Sequence, residues 1–204
     1  VTGERRQQSD RTAATRGAVL EATVELLVER GYSRTSTRLA AERAGISLGA
    51  LQHHFPTKAE LSVEALRFVT ERLAAEFVES ARESSLAEDT FASILDRLYL
   101  VFRGPTFAAA VEIHLASRTD DALQEPVRDL NRFIDELVLE SAASLLPDFA
   151  GNPAFPALLQ TSVSAVRGLA LTAMDPASDR ETQWGMVRGT LLELAASIRA
   201  EEFG

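Results

Sequence analysis

From about residue 11 onward, apolar side chains return every third or fourth position and never settle into strict alternation, the period of amphipathic helices and not of strands. The first helix is expected to begin near Arg11 to Thr15, with Val19, Ala22 and Leu26 on one stripe and Leu20, Val24 and Leu27 beside it. Gly31 is placed to end it. Thr37 to Ala44 reads as a second helix capped by Ser36 and closed by Gly45. Ser47 caps a short third helix through His54, and Pro56 bars its continuation. Thr57 with Glu60 forms a capping box that opens a long fourth helix to about Glu83. Ser85 with Glu88 opens a fifth, whose apolar face carries Phe91, Ile94, Leu95, Leu98, Val101 and Phe102 before the Gly104-Pro105 break. A sixth helix fits Thr106 to Ser117, and a seventh runs from about Pro126 to Leu146. After the loop Pro147 to Pro156 an eighth extends to Met174. Ser178 with Glu181 then opens a ninth to about Glu201. About nine helices without a strand define an all-α fold, preceded by a polar stretch, residues 1–10, expected to be a disordered arm.

Composition narrows the chemistry. With no cysteine, disulfides, thiolate metal sites and Cys nucleophiles are excluded, and a reducing compartment is favoured. No apolar run reaches the roughly 20 residues of a membrane span, and the N-terminal stretch is too polar for a signal peptide, so a cytoplasmic protein without a membrane partner is expected. HExxH, G-x-S-x-G and the phosphate-binding glycine loop are all missing, which leaves no enzyme and no cofactor to propose. Adjacent His53 and His54 point about 100° apart on a helix and chelate poorly; the only other histidine is His114, so no metal site is expected.

The net charge of −9 argues at first against nucleic acid, but its distribution does not. Between Arg30 and Lys58 the positives Arg30, Arg34, Arg38, Arg43 and Lys58 face one negative, Glu42, a local +4 against −13 elsewhere. A duplex responds to the field within a Debye length, so a basic head on an acidic body can hold phosphates.

A short helix, a glycine turn and a second short helix make the helix-turn-helix arrangement. Its packing positions are Leu39, Ala40, Ala44, Ile46, Leu51 and Phe55, and its third helix exposes Leu48, Gly49, Gln52 and His53. Such a pair by itself also occurs in helical enzymes. The in-register set Gly31-Tyr32, Thr35-Ser36-Thr37, Leu39-Ala40, Ala44-Gly45-Ile46-Ser47, Gly49, Leu51, His54-Phe55, Thr57-Lys58 and Leu61 goes further. Over about fifty residues it resembles the N-terminal domain of the tetracycline-repressor-like (TetR) family.

That resemblance implies a ligand-responsive repressor that binds a pseudo-palindromic DNA operator as a homodimer. Its domains would be a helix-turn-helix over 11–61 and an effector-binding and dimerisation domain over 62–204. Position by position, Thr37 would bond a phosphate at its helix N-terminus, and Arg38 would reach a phosphate or a guanine edge. Gly49 would let the third helix approach the backbone. Leu48 and Gln52 would face bases, Gln52 being suited to adenine. His53 and His54 would touch phosphates and Lys58 would clamp one. The family usually has Tyr where this chain has Gln52, so operator preference does not transfer.

The same resemblance places an unknown small-molecule effector among the middle helices, with Phe68, Leu98, Phe102, Phe107, His114, Phe133 and Arg167 as candidate lining residues. Phe107, Ala110, Val111 and His114 share a helical face, which would turn His114 inward, either as a core histidine with one satisfied hydrogen bond or as a ligand contact. Near the C-terminus, Trp184, Val187, Leu191, Leu194 and Ile198 recur at 3 and 4, as do Leu159, Val163 and Val166. Such seams serve either the chain's own core or a four-helix bundle between two protomers. The resemblance, which puts dimerisation on the last two helices, assigns them to the dimer.

Overall fold

The computed structural model describes residues 2–83, 90–172 and 179–201. Within them the chain is helical, with no strand: α1 Thr2–Arg34, α2 Thr37–Ala44, α3 Leu48–His54, α4 Lys58–Glu83, α5 Thr90–Phe102, α6 Pro105–Ala116, α7 Asp121–Leu145, α8 Pro147–Ala150, α9 Phe155–Thr172 and α10 Arg180–Glu201. The nine expected helices are all present, and α8 is a single extra turn inside the expected Pro-rich loop. The Ser85–Glu88 cap and Ser178 lie outside the described residues. Asp179 performs the latter's task, its carboxylate accepting the Thr182 N–H at 3.3 Å. No helix among the described residues is long and apolar enough to cross a membrane.

Two boundaries differ from expectation for physical reasons. α1 runs back to Thr2 through the stretch expected to be an arm. After Gly3 that stretch holds no glycine or proline, and a formed helix gains a hydrogen bond with each residue added. α7 starts at Asp121 rather than near Pro126, because Asp120 accepts the Ala122 N–H at 3.0 Å and supplies a cap. Pro126, which drew the expected boundary, therefore sits inside the helix and offers no N–H to the carbonyl of Ala122.

The helices form two compact units. The first comprises Val1–Arg72 and Pro105–Ile134, with α1 packed on α2 and α6, and α2 on α3. Its core holds Leu20, Leu26, Leu27, Leu51, Leu61, Ile113 and Leu123, each at most 1% exposed. The hydroxyl of Thr23, fully buried, donates to the Val19 carbonyl at 2.7 Å, so this core contains a threonine without an unmet bond.

The second unit comprises Leu73–Gly104 and Asp135–Gly204, where α5, α9 and α10 pack on one another. Phe91, Phe149 and Phe155 stand in a chain of ring contacts at 5.9 and 6.2 Å, beside Leu95, Leu158, Leu191 and Ile198. Here the expected dimer seam is corrected at four of its eight residues. Val163, Val166, Leu191 and Ile198 are buried in this unit's own core, and Leu159, Trp184 and Val187 pack against it; only Leu194 is exposed. The 3-and-4 spacing marks burial without naming the partner, and α5, with Leu95 and Tyr99, is what buries the seam. The outward faces instead carry Thr161, Ser164, Gly168 and Leu171 on α9, and Gly185, Met186, Thr190 and Leu194 on α10.

Candidate functional site

Each short helix of the head is held by a serine and a glycine. Ser36, with extended backbone, accepts the Leu39 N–H at 3.2 Å and starts α2. Gly45 ends it in the left-handed region at φ 69, and the Ile46 N–H reaches back to the Ala41 carbonyl at 3.0 Å. Ser47 then accepts the Ala50 N–H at 3.2 Å and starts α3 two residues after the glycine. Leu51 and Phe55, 0% and 3% exposed, fix the inner side of α3 against the core. Neither α2 nor α3 has an acidic residue in its first turn, so the positive ends of both helices are left uncompensated by the protein.

The candidate DNA-binding residues fall into two groups by exposure. Leu48, Gly49, Gln52 and His53 stand out on α3, and Arg38 on α2. Thr37, His54 and Lys58 are half-buried at the edges of the same surface. No Cβ contact would arise within 4 Å at Gly49, so the backbone there is open to close approach. Arg38 carries an i,i+4 pair with Glu42 at 3.0 Å, with side chains 79% and 58% exposed, a pair that exchanges readily for a phosphate. The His53 and His54 rings meet edge-on at 5.5 Å. Among the described residues no three His, Cys, Asp or Glu side chains form a metal-binding group.

Two features escape the reading by sequence. Arg43, counted in the basic window, is turned away from it: its guanidinium bonds Glu29 twice at 2.8 Å and Glu25 at 3.4 Å, tying α2 to α1. The Arg43 hydrogen bond holds the Glu29 carboxyl below the usual carboxylate range. The i,i+4 spacing of Glu25 and Glu29 was the available signal, but both precede the basic window. Tyr32 is the second, its ring 4.0 Å below the Lys58 ammonium.

The profile of the family described as "Bacterial regulatory proteins, tetR family" matches residues 19–65, the span that contains both capped helices. The HTH-type transcriptional regulator CymR of Pseudomonas putida is 28% identical over 96% of this chain and 96% of its own. Residues 19–65 carry the helix-turn-helix domain of the tetR family of bacterial regulatory proteins. This regulator is accordingly a DNA-binding transcription regulator and not an enzyme. Its fold agrees with a solved TetR-family regulator from Rhodococcus sp. at TM-score 0.66, with 19% identity over 88% of this chain and 97% of that one. FadR from Bacillus subtilis, solved in complex with stearoyl-CoA, superposes at TM-score 0.57, with 14% identity over 85% of this chain and 96% of that one.

The candidate effector residues of the regulator fall in both units. In the first unit, Phe68 and Phe133 pack on the core and are capped by arginines, Arg72 at 5.8 Å and Arg67 at 4.1 Å. Phe107 is half-buried, and His114 is exposed, contrary to the inward face expected of it. α6 is apolar nearly all round, so its period selects no face. Packing selects Ala109 and Ile113, 3% and 1% exposed. In the second unit, Leu98 and Phe102 pack beside Tyr99, Val166 and Leu169, and Arg167 lies 5.7 Å over the Phe102 ring. Tyr99 stacks on Trp184 at 4.4 Å, and the Trp184 N–H and the Arg188 guanidinium both donate to Asp96. A cleft of about 270 Å³ in the first unit is lined by Val63, Arg67, Pro126 and Leu130 with four carboxylates, and by none of the candidates.

Proposed function

We propose that this regulator is a homodimeric, ligand-responsive repressor that lays α3 of each protomer into successive major grooves of a pseudo-palindromic operator. The observation that carries this reading is the exposed edge of α3: Leu48, Gly49, Gln52 and His53 stand out together on a Ser47-capped helix whose first turn holds no acidic residue. Gln52 and Leu48 meet base edges, Gln52 by paired bonds to adenine and Leu48 by apolar contact. Thr37, His53, His54 and Lys58 meet phosphates, Thr37 with the help of the α2 N-terminus. Arg38 exchanges Glu42 for a phosphate or a guanine.

A two-fold operator requires a two-fold protein. Because the apolar seam is internal, the dimer forms through the opposite faces of α9 and α10. Gly168, Gly185 and Thr190 permit close helix approach there, and Met186 (63% exposed), Leu171 and Leu194 supply apolar area. No Cβ contact exists within 4 Å of Gly168, Gly185 or Gly189, which leaves room for a partner helix.

The effector binds in the second unit at Leu98, Phe102 and Arg167, close to Tyr99 and Trp184. Aromatic and aliphatic walls with one guanidinium suit an apolar ligand bearing an anionic or carbonyl head. The stearoyl-CoA bound by FadR is a ligand of that general kind. Release from DNA is then a shift between operator-competent and incompetent states.

Gel-shift with fragments upstream of the protein's own coding region, repeated over a range of salt, tests the reading. Retardation that weakens with salt is expected. Salt-insensitive binding, or none to any genomic fragment, would overturn it.

A further inference from the structure

Lys58, the only lysine of the chain, is the first residue of α4, where an ammonium meets the positive end of the helix dipole. Two contacts offset that repulsion. Its Nζ lies 4.0 Å from the Tyr32 ring centroid, where the ring's negative face attracts it, and it donates to the Ser33 carbonyl at 3.4 Å. The seat is built from outside the helix-turn-helix. Gly31, at φ 76 and ψ 168, breaks α1 so that the Tyr32 N–H opens a new turn, and Glu112 of α6 accepts that N–H at 2.8 Å. An alanine Cβ at Gly31 would collide with the same carboxylate, so the α6 side chain fills the space the missing side chain leaves. Burial, with the negative charge of Asp120 at the cap of α7 as a further cause, holds the Tyr32 phenol above its ordinary pKa. Asp120 also acts on Lys58 and partly counters the downward pull of burial on its ammonium. All of these residues belong to the first unit.

We infer that Tyr32 is a positioning residue for the phosphate contact of Lys58, and that Glu112 of α6 holds it in place. The inference rests on the DNA-binding reading above, in which Lys58 meets a phosphate. A free lysine side chain must be ordered before it clamps a phosphate; one already laid on a ring has lost much of that freedom beforehand. A shift of α6 would therefore change where Lys58 points.

The test is the salt dependence of binding to a selected operator duplex, followed by fluorescence anisotropy. Lys58→Ala should lower the slope of log K against log salt by about 0.9 per head, about 1.8 for a two-headed dimer. Tyr32→Leu should lower it by the same amount and add nothing in the Lys58→Ala background. Tyr32→Phe, which keeps the ring face, should restore the slope. A wild-type slope in Tyr32→Leu, or full additivity with Lys58→Ala, would overturn the role of Tyr32. Wild-type protein without salt-dependent binding would instead remove the DNA-binding reading beneath it. If Tyr32→Leu fails to fold, the unaltered protein still decides: the Lys58 ε-methylene protons should be shifted upfield by the ring in the free protein. Ordinary lysine shifts would overturn the seat.

Discussion

Replacing Gly31 by alanine would separate two costs that meet at one residue. The first is conformational. At φ 76 and ψ 168 the backbone occupies a region that is essentially glycine-only, and forcing alanine there costs about 1–3 kcal/mol. The second is the collision with Glu112, whose carboxylate must move and surrender the Tyr32 N–H. A hydrogen bond to a charged group contributes about 1.5–3 kcal/mol, and the exposure of Glu112 puts this one near or below the lower end, about 1 kcal/mol. Together they give roughly 2–4 kcal/mol, or a fall in Tm of about 5–15 °C for a chain of this size. Gly45 is the internal comparison. It too has positive φ, at 69, but nothing lies within 4 Å of an added Cβ, so Gly45→Ala should cost only the backbone term of about 1–2 kcal/mol.

Urea unfolding followed by circular dichroism measures both variants. A third, Gly31→Ala with Glu112→Ala, removes the collision and leaves the backbone strain. It should be less destabilised than the sum of the two single changes by about 1 kcal/mol. Equal losses for the two glycine variants, or strict additivity in the cycle, would refute the reasoning.

Four other outcomes can be checked. Because Arg43 depresses the pKa of Glu29, the pair contributes stability that is present above the ordinary carboxylate value of 4.5 and lost as pH falls through the lowered folded value. Midpoints from thermal melts between about pH 5 and 3 should therefore depend less on pH in Arg43→Ala than in the unaltered protein. Ser62 is fully buried and its hydroxyl meets no partner, so Ser62→Ala should raise stability by about 1 kcal/mol in urea titrations. Met186→Glu places a charge on the proposed dimer face and should give a monomer in sedimentation velocity with much weaker operator binding. Gln52→Ala should relax discrimination at one base pair per half-site by about 1–3 kcal/mol in a panel of single-substitution operators, leaving the salt slope in place.

The head was legible because its boundaries are chemical. Ser36, Ser47 and Gly45 bond backbone groups that would otherwise lack partners, and such residues act within three or four positions of themselves. Thr57 does the same for α4, accepting the Glu60 N–H at 3.1 Å. Where two local signals competed, sequence was a poorer guide. Pro126 suits the first position of a helix, but Asp120, upstream of it, bonds an otherwise unpartnered N–H, and that cap decided where α7 starts. The orientation of α6 was hidden for another reason. With apolar residues on every side, only contact with α1 and the bond from Tyr32 to Glu112 determine that Ile113 faces in and His114 out.

The C-terminal pair shows a more general limit. A stripe at 3 and 4 states that a helix face is withheld from water, and says nothing about which surface withholds it. Val163, Val166, Leu191 and Ile198 are large and apolar, so they satisfy the demands of an intramolecular core with α5. The face left over carries mostly small and neutral side chains, Thr161, Ser164, Gly168, Gly185 and Thr190, around Leu171, Met186 and Leu194, with an exposed charge at Glu193. Such a face has too little apolar area per residue to signal burial by periodicity, yet in the proposed dimer it would let a second pair of helices approach closely. The two surfaces therefore answer to different physics. Apolar area drives the fold of one protomer, and close approach of small side chains would serve the proposed association of two. A hydrophobic pattern alone reports the first.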